Sequence, residues 1–471
     1  MNEMKTENIG HKSSANQIVS FWHSQNSKII LFLLLSIFLA FTVFVAVSLQ
    51  PGIIPDEPAH FVFSRHYSST WGIPPDVTET YTFGWYIYRN PFLYYWINGR
   101  IINFIEYFRP VTSDWQMLVV LRLVNVIYGL GTVIFCYFIS KELIDHKWYR
   151  LLPVFLITNT LMFVFLVGGV NYDNLANLFS MAGLFFFVRV LRNKNFISNS
   201  FGWTISILSG TLVKFTILPL ALIMGVLWII YIVKNKENIF PIVFSVKKDI
   251  LLGFVLLVIV SGNIAIYGYN LIMYQSIRPE CTDILSMEQC LISPYAIRYE
   301  ELALDQKLTI SESINLGYPD PLTYLIDSWF PNLLYRIFGI LGHRSYFPVR
   351  IIIFYRLLAY SVIILALRYW RKPNYTFISI FIIILFYSVI LFIINYDSEL
   401  VYGFRQITLQ GRYFFPVLGI IYILLTKIIH LIPTKFVKYL MLSLTMILFF
   451  MGGPIKFLRF SETIFSGWFI R

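Results

Sequence analysis

The stretch Lys28–Leu49, KIILFLLLSIFLAFTVFVAVSL, decides the fold. Its only charge is at its first residue, and it is as long as the roughly 20 apolar residues an α-helix needs to cross a bilayer core about 30 Å thick. Runs of this kind recur along the whole chain of 471 residues, which is 57% hydrophobic and only 13% charged. A soluble protein carries about twice that charged fraction. The sequence therefore reads as an all-α polytopic membrane protein. Barrel strands would show short alternating segments instead, and none are present.

Beyond 28–49, further spans are expected at 116–140, 151–168, 174–191, 200–213, 216–233, 250–272, 351–369, 375–394, 412–430 and 438–453, about eleven in all. Residues 1–27 read as a polar cytoplasmic tail, 28–453 as one transmembrane domain and 454–471 as an extracytoplasmic tail. The first run is longer than a signal-peptide core and lacks a small-residue cleavage site, so it reads as an anchor. The short connections Lys141–Arg150, Arg189–Lys194, Lys234–Lys248, Arg368–Lys372 and Lys427–Lys438 are dense in Lys and Arg. All fall on the side of the N-terminus, which the positive-inside rule makes cytoplasmic. Two large loops, 50–115 and 273–350, then face outward. The net charge of +12 is explained by this punctuation of apolar runs, and a nucleic-acid partner is excluded because the bases form no patch on a polar domain.

Directly after the first span comes Pro55-Asp56-Glu57-Pro58-Ala59-His60. Asp56 suits a helix N-cap with Pro58 in the first turn, and His60 one turn on gives three polar groups that can face one cavity. A plain capping motif is the alternative. Other polar clusters sit at outward ends of spans: Asn171-Tyr172-Asp173-Asn174, Gln410-Gly411-Arg412-Tyr413 and, within the second loop, Gly339–Arg344. Taken singly, Asp173 suits an N-cap and Arg412 an interfacial anchor. Lys214 and Arg122 interrupt apolar runs, and an ionisable residue at membrane depth calls for a functional reason. Cys136 lies in an apolar run. Cys281 and Cys290 flank a polar stretch of the second loop and can form a disulfide if that loop meets an oxidising compartment.

The motifs at 55–60, 171–176 (Asn-Tyr-Asp-Asn-Leu-Ala) and 410–416 (Gln-Gly-Arg-Tyr-Phe-Phe-Pro) carry a resemblance. An acidic pair just after the first span resembles the GT-C superfamily of glycosyltransferases. More narrowly, the three motifs are similar to a bacterial multispanning family of unassigned function within that group, over residues 30 to 430. The stretch around His343 departs from that pattern, where an aromatic residue is commoner. The resemblance implies a sugar moved from a polyprenyl-phosphate carrier, outside the cytoplasmic leaflet, to a hydroxyl of a glycan, lipid or protein acceptor. Asp56 then serves as base with Glu57 beside it, and Asp173 as the second acid. Lys214 and Arg412, with Arg344, Arg122 and His60 behind them, hold the departing phosphate.

Trp71, Tyr81, Trp85, Tyr94 and Trp96 are candidates for sugar stacking, with interface anchoring as the alternative. Neither a Walker loop nor a dinucleotide fingerprint is present. Carboxylates at 56, 57 and 173 are compatible with a divalent cation, although no ligand spacing demands one. A lipid-linked glycan polymerase or ligase, or a flippase, remains the alternative reading.

Overall fold

In a computed structural model, residues 8–83, 89–110, 113–236, 246–342, 344–345, 349–464 and 466–470 are described. Among them the chain is mostly helical, with one antiparallel two-residue ladder pairing Ile340 with Ser345 and Leu341 with Arg344. Among the described residues, nine helices are long and apolar enough to span a bilayer: Asn26–Ser48, Asp114–Leu143, Tyr172–Leu191, Phe215–Lys234, Asp249–Tyr274, Arg350–Tyr369, Tyr375–Tyr402, Gly411–Leu431 and Lys435–Arg459. The protein is a multi-pass α-helical membrane protein.

Two expected spans take a different form. The 151–168 run breaks into the helices Leu151–Thr158 and Leu161–Val167. At the break, Thr160 turns its hydroxyl to Leu156 O (2.9 Å) and to the Tyr422 hydroxyl (2.6 Å). Irregular backbone at membrane depth is tolerated where protein, not lipid, surrounds it, and Leu161–Val167 is buried throughout. The 200–213 run belongs to the helix Phe196–Val213, whose serines, threonines and Asn199 dilute its apolar character. That helix packs closely against Tyr172–Leu191. A Cβ on Gly183 would lie 2.5 Å from Ile207, and one on Gly202 would lie 2.7 Å from Phe186. Small residues let helices approach when lipid supplies no hydrophobic drive between them.

Burial sorts the helices into centre and periphery. The most apolar windows of Tyr172–Leu191 and Gly411–Leu431 are 78% and 72% buried, against 6% for Asp249–Tyr274 and 11% for Arg350–Tyr369. The peripheral helices leave side chains such as Ile250, Leu257, Ile364 and Leu367 uncovered. A belt of this extent on a soluble protein would aggregate; a bilayer covers it.

At one end of the bundle, the first span closes against the far end of the chain: Gln50 N donates to Trp468 O and Ile470 N to Ser48 O, both at 2.8 Å. Here also begin the helices starting at Asp114, Tyr172, Phe215 and Gly411. The opposite end holds the basic ends of those helices, where Lys194 pairs with Glu142 at 2.7 Å. In the second large loop Cys281 and Cys290 are joined in a disulfide. This loop is tied to the Tyr375–Tyr402 helix by Leu304 N to Val401 O (2.9 Å) and Leu308 N to Leu400 O (3.1 Å).

Candidate active site

The helix Glu57–Ser68 follows the first span, and Pro58 in its first turn has no amide to leave unsatisfied. Asp56 precedes it with φ 60° and ψ 6°, a left-handed conformation. Asp56 thus holds the expected N-cap position, but its carboxylate makes no capping bond to the helix amides. Left-handed backbone in a non-glycine residue persists only when its surroundings impose it. Here Asp56 Oδ2 meets Arg412 Nη2 at 2.5 Å.

Arg412 links two acids. Its Nε lies 3.5 Å from Asp173 Oδ2, and Asp173 Oδ1 accepts from Lys214 Nζ. Lys214 Nζ also lies over the rings of Tyr172 (4.6 Å) and Tyr413 (4.5 Å), where the ring faces attract a cation. Four residues distant in sequence thus form one cluster at a single end of the bundle. The charges of Asp56 and Asp173 balance those of Lys214 and Arg412. Side-chain exposure is 23% for Asp56, 10% for Arg412, 5% for Lys214 and 4% for Asp173. Asp56 is the member open to an incoming molecule.

Local sequence explains each position. Asn171 caps the Tyr172 helix by accepting from Asp173 N (2.9 Å), and its Nδ2 donates to Pro55 O (3.0 Å), fastening the Asp56 turn to that helix. Lys214 follows the last residue of the Phe196–Val213 helix in extended conformation, which turns its side chain inward. Arg412 lies in the 3-10 turn Gly411–Phe414 that leads into Phe415–Leu431. Gly411 permits the approach: a Cβ there would lie 2.6 Å from the backbone carbon of Arg336.

Glu57 and Arg122 occupy a separate place. Arg122 donates to Glu57 through Nε (2.7 Å) and Nη2 (2.6 Å), and to the carbonyls of Ala46, Leu49 and Gln50. Glu57 also accepts from Val170 N at 3.1 Å. Side-chain exposures of 0% and 1% make this a structural pair joining three helices. Glu57 and Arg122, expected beside the base and at the phosphate, are thus bonded to each other and stand apart from the Asp56–Arg412–Asp173–Lys214 cluster.

His60 differs from expectation as well. It is fully buried, with Nδ1 2.9 Å from the Tyr95 hydroxyl and its ring 4.6 Å from Tyr172. Burial pushes its pKa down to about 3, against the opposing pull of Asp56 and Asp173. A neutral imidazole supplies no charge to a phosphate. The Arg344 side chain, His343 and Trp85 lie outside what is described.

Among the aromatic candidates, Tyr94 is buried against Asn125. Trp71 is 75% exposed, with Arg100 4.6 Å from its ring centre and Trp96 bonded to its carbonyl. That open ring is available for stacking. The donor set does not suit a divalent cation: Asp56 and Asp173 are bound to Arg412 and Lys214, and no group of three or more His, Cys, Asp or Glu residues is placed to hold a metal among the described residues.

Sequence reasoning missed Arg336 and Asn125, and named Asn174 only as part of its polar cluster. Asn174 Nδ2 donates to Asn125 Oδ1 (3.0 Å) and to the carbonyls of Leu166 and Gly169, fixing the turn before Asp173. An asparagine inside each of two apolar spans was the available signal. In comparison with known proteins, this chain matches no family model, no curated protein and no solved structure.

Proposed function

We propose that the protein is a GT-C-type membrane glycosyltransferase that moves a sugar from a polyprenyl-phosphate carrier to an acceptor hydroxyl for cell-surface glycan assembly. The observation that carries this reading is Asp56, held left-handed at the open edge of a buried acid–base cluster and directed away from its own helix. In the proposed reaction the Asp56 carboxylate takes the proton of the acceptor hydroxyl. The acceptor oxygen bonds to the anomeric carbon as the bond from that carbon to the phosphate oxygen breaks, and polyprenyl phosphate leaves. A single displacement of this kind inverts the anomeric centre. Arg412 and Lys214 face the charge that grows on the leaving phosphate, and Asp173 holds both cations in position.

The proposed site is extracytoplasmic and the N-terminus cytoplasmic. The helices that begin at Asp114, Tyr172, Phe215 and Gly411 end near Lys141, Arg189, Lys234 and Lys427, so the site and the basic ends lie on opposite sides. A polar cluster at helix ends, not at the midplane of two similar halves, favours an enzyme over a transporter.

The test is sugar transfer from a polyprenyl-phosphate-linked donor by the full chain in liposomes, supplied with membrane extract as acceptor. Asp56→Asn is expected to lower transfer by at least about 100-fold with folding unchanged. Wild-type transfer by that variant removes Asp56 as the base.

A further inference from the structure

The Phe330–Phe338 helix crosses the Gln410–Arg412 turn in backbone contact at Gly411 and thereby brings a second arginine, Arg336, to the edge of the site. Arg336 and Arg412 line one cavity of about 140 Å³ together with Pro55, Met162, Gln410 and Gly411. Pro55 is the residue before the proposed base, so the cavity adjoins Asp56. It has room for a phosphate group but not for a sugar and its lipid.

The two arginines differ in how far their charge is engaged. Arg412 is held by Asp56 and Asp173, yet its Nη1 is buried with no hydrogen-bond acceptor among the described residues. Arg336 Nη2 donates to the Gln406 carbonyl at 3.0 Å, and no carboxylate lies within 4 Å of Arg336 among the described residues. The acid that faces Arg336 at longer range, Glu399, accepts from Tyr324 OH (3.1 Å) and Gln406 N (3.0 Å). The core cluster is electrically balanced, and Arg336, whose counter-charge Glu399 stands beyond 4 Å, adds a second arginine to the cavity lining. A planar guanidinium also presents paired donors that match phosphate oxygens.

We infer that the cavity between Arg336 and Arg412 is the phosphate subsite for a lipid-borne phosphate ester, with Arg336 as a binding residue beside Arg412. This deepens the glycosyltransferase reading and rests on it. The competing role for Arg336 is support of the 403–410 loop through Gln406.

The experiment measures binding of polyprenyl phosphate to the full chain in nanodiscs of neutral lipid, with polyprenol as the uncharged control. Phosphatidylglycerol nanodiscs and inorganic phosphate form two further arms. Wild-type protein is expected to prefer polyprenyl phosphate over polyprenol. Arg336→Gln should weaken polyprenyl phosphate binding about 10- to 100-fold and leave polyprenol binding unchanged, with Arg336→Lys intermediate. Glu399→Gln, which loosens the loop but spares both cations, should bind at least as tightly as wild type.

Equal losses in Arg336→Gln and Glu399→Gln would assign Arg336 to loop support and overturn the subsite. Equal competition by phosphatidylglycerol would make the cavity an ordinary headgroup site, which also overturns it. Inorganic phosphate competing in wild type but not in Arg336→Gln supports it; no competition in either counts against it. If the Arg336-dependent binding holds and no donor yields sugar transfer, the subsite stands and the glycosyltransferase reading falls. If transfer occurs with unchanged donor KM in Arg336→Gln, the reading stands and the subsite falls.

Discussion

Replacing Arg122 by Met should unfold the end of the bundle that holds the Asp56 cluster before it affects any chemistry. The substitution keeps most of the volume and removes the charge. Among the described residues, Glu57, 1% exposed in its side chain, would then keep only the amides of Val170 (3.1 Å) and Gly52 (3.3 Å). Breaking a buried pair by removing one partner costs about 3–5 kcal/mol. The upper part of that range applies here, because the carbonyls of Ala46, Leu49 and Gln50 lose their donor as well. Glu57→Gln alone should also destabilise, leaving Arg122 without a counter-charge. The double variant Glu57→Gln/Arg122→Met should be less destabilised than the two single effects summed, with a coupling of at least about 1.5 kcal/mol. The assay is equilibrium unfolding in mixed micelles followed by tryptophan fluorescence, with donor KM measured on the folded fraction. An unchanged midpoint in Arg122→Met refutes the structural assignment. Normal stability with a raised donor KM would return Arg122 to the phosphate site.

Lys214→Met should raise donor KM more than acceptor KM and leave Asp173 paired with Arg412 alone; an unchanged donor KM in steady-state transfer counts against a phosphate role for Lys214. Because the folded-state pKa of His60, about 3, lies below its ordinary value near 6.5, the unfolded chain binds the extra proton. Stability from His60 is thus complete above pH 6.5 and declines as pH falls toward 3. Between pH 6.5 and 5 the loss should approach about 1.4 kcal/mol per pH unit in unfolding titrations. It should be absent from His60→Asn, and equal slopes in the two proteins would contradict a neutral buried imidazole. Gly411→Ala should cost about 1–3 kcal/mol and sharply reduce transfer, since its Cβ would strike the backbone of Arg336 and Ile337 at 2.6–2.7 Å; wild-type stability and transfer would show that the two elements part without cost.

What was legible in the chain alone follows from how sparse polar residues are in it. Within long apolar runs a charge is conspicuous, which singled out Lys214; Asp56, Asp173 and Arg412 stood in polar clusters at span ends and were joined by the resemblance, and the structure places all four in one cluster. The same contrast made the α-helical membrane class readable. Partners and conformation were not readable. Asp56 stands before its helix in left-handed conformation and Glu57 is the first residue within it, so the two acids turn to different neighbours: one to Arg412, the other to Arg122. The His60 charge depends on enclosure by Tyr95 and Tyr172. Arg336 sits in a mixed polar and apolar segment that looks like ordinary loop until the Gly411 crossing brings it beside Arg412. Hydropathy is a property of consecutive residues and survives in the sequence. Charge pairing depends on which helix ends meet, and only the packed structure decides that.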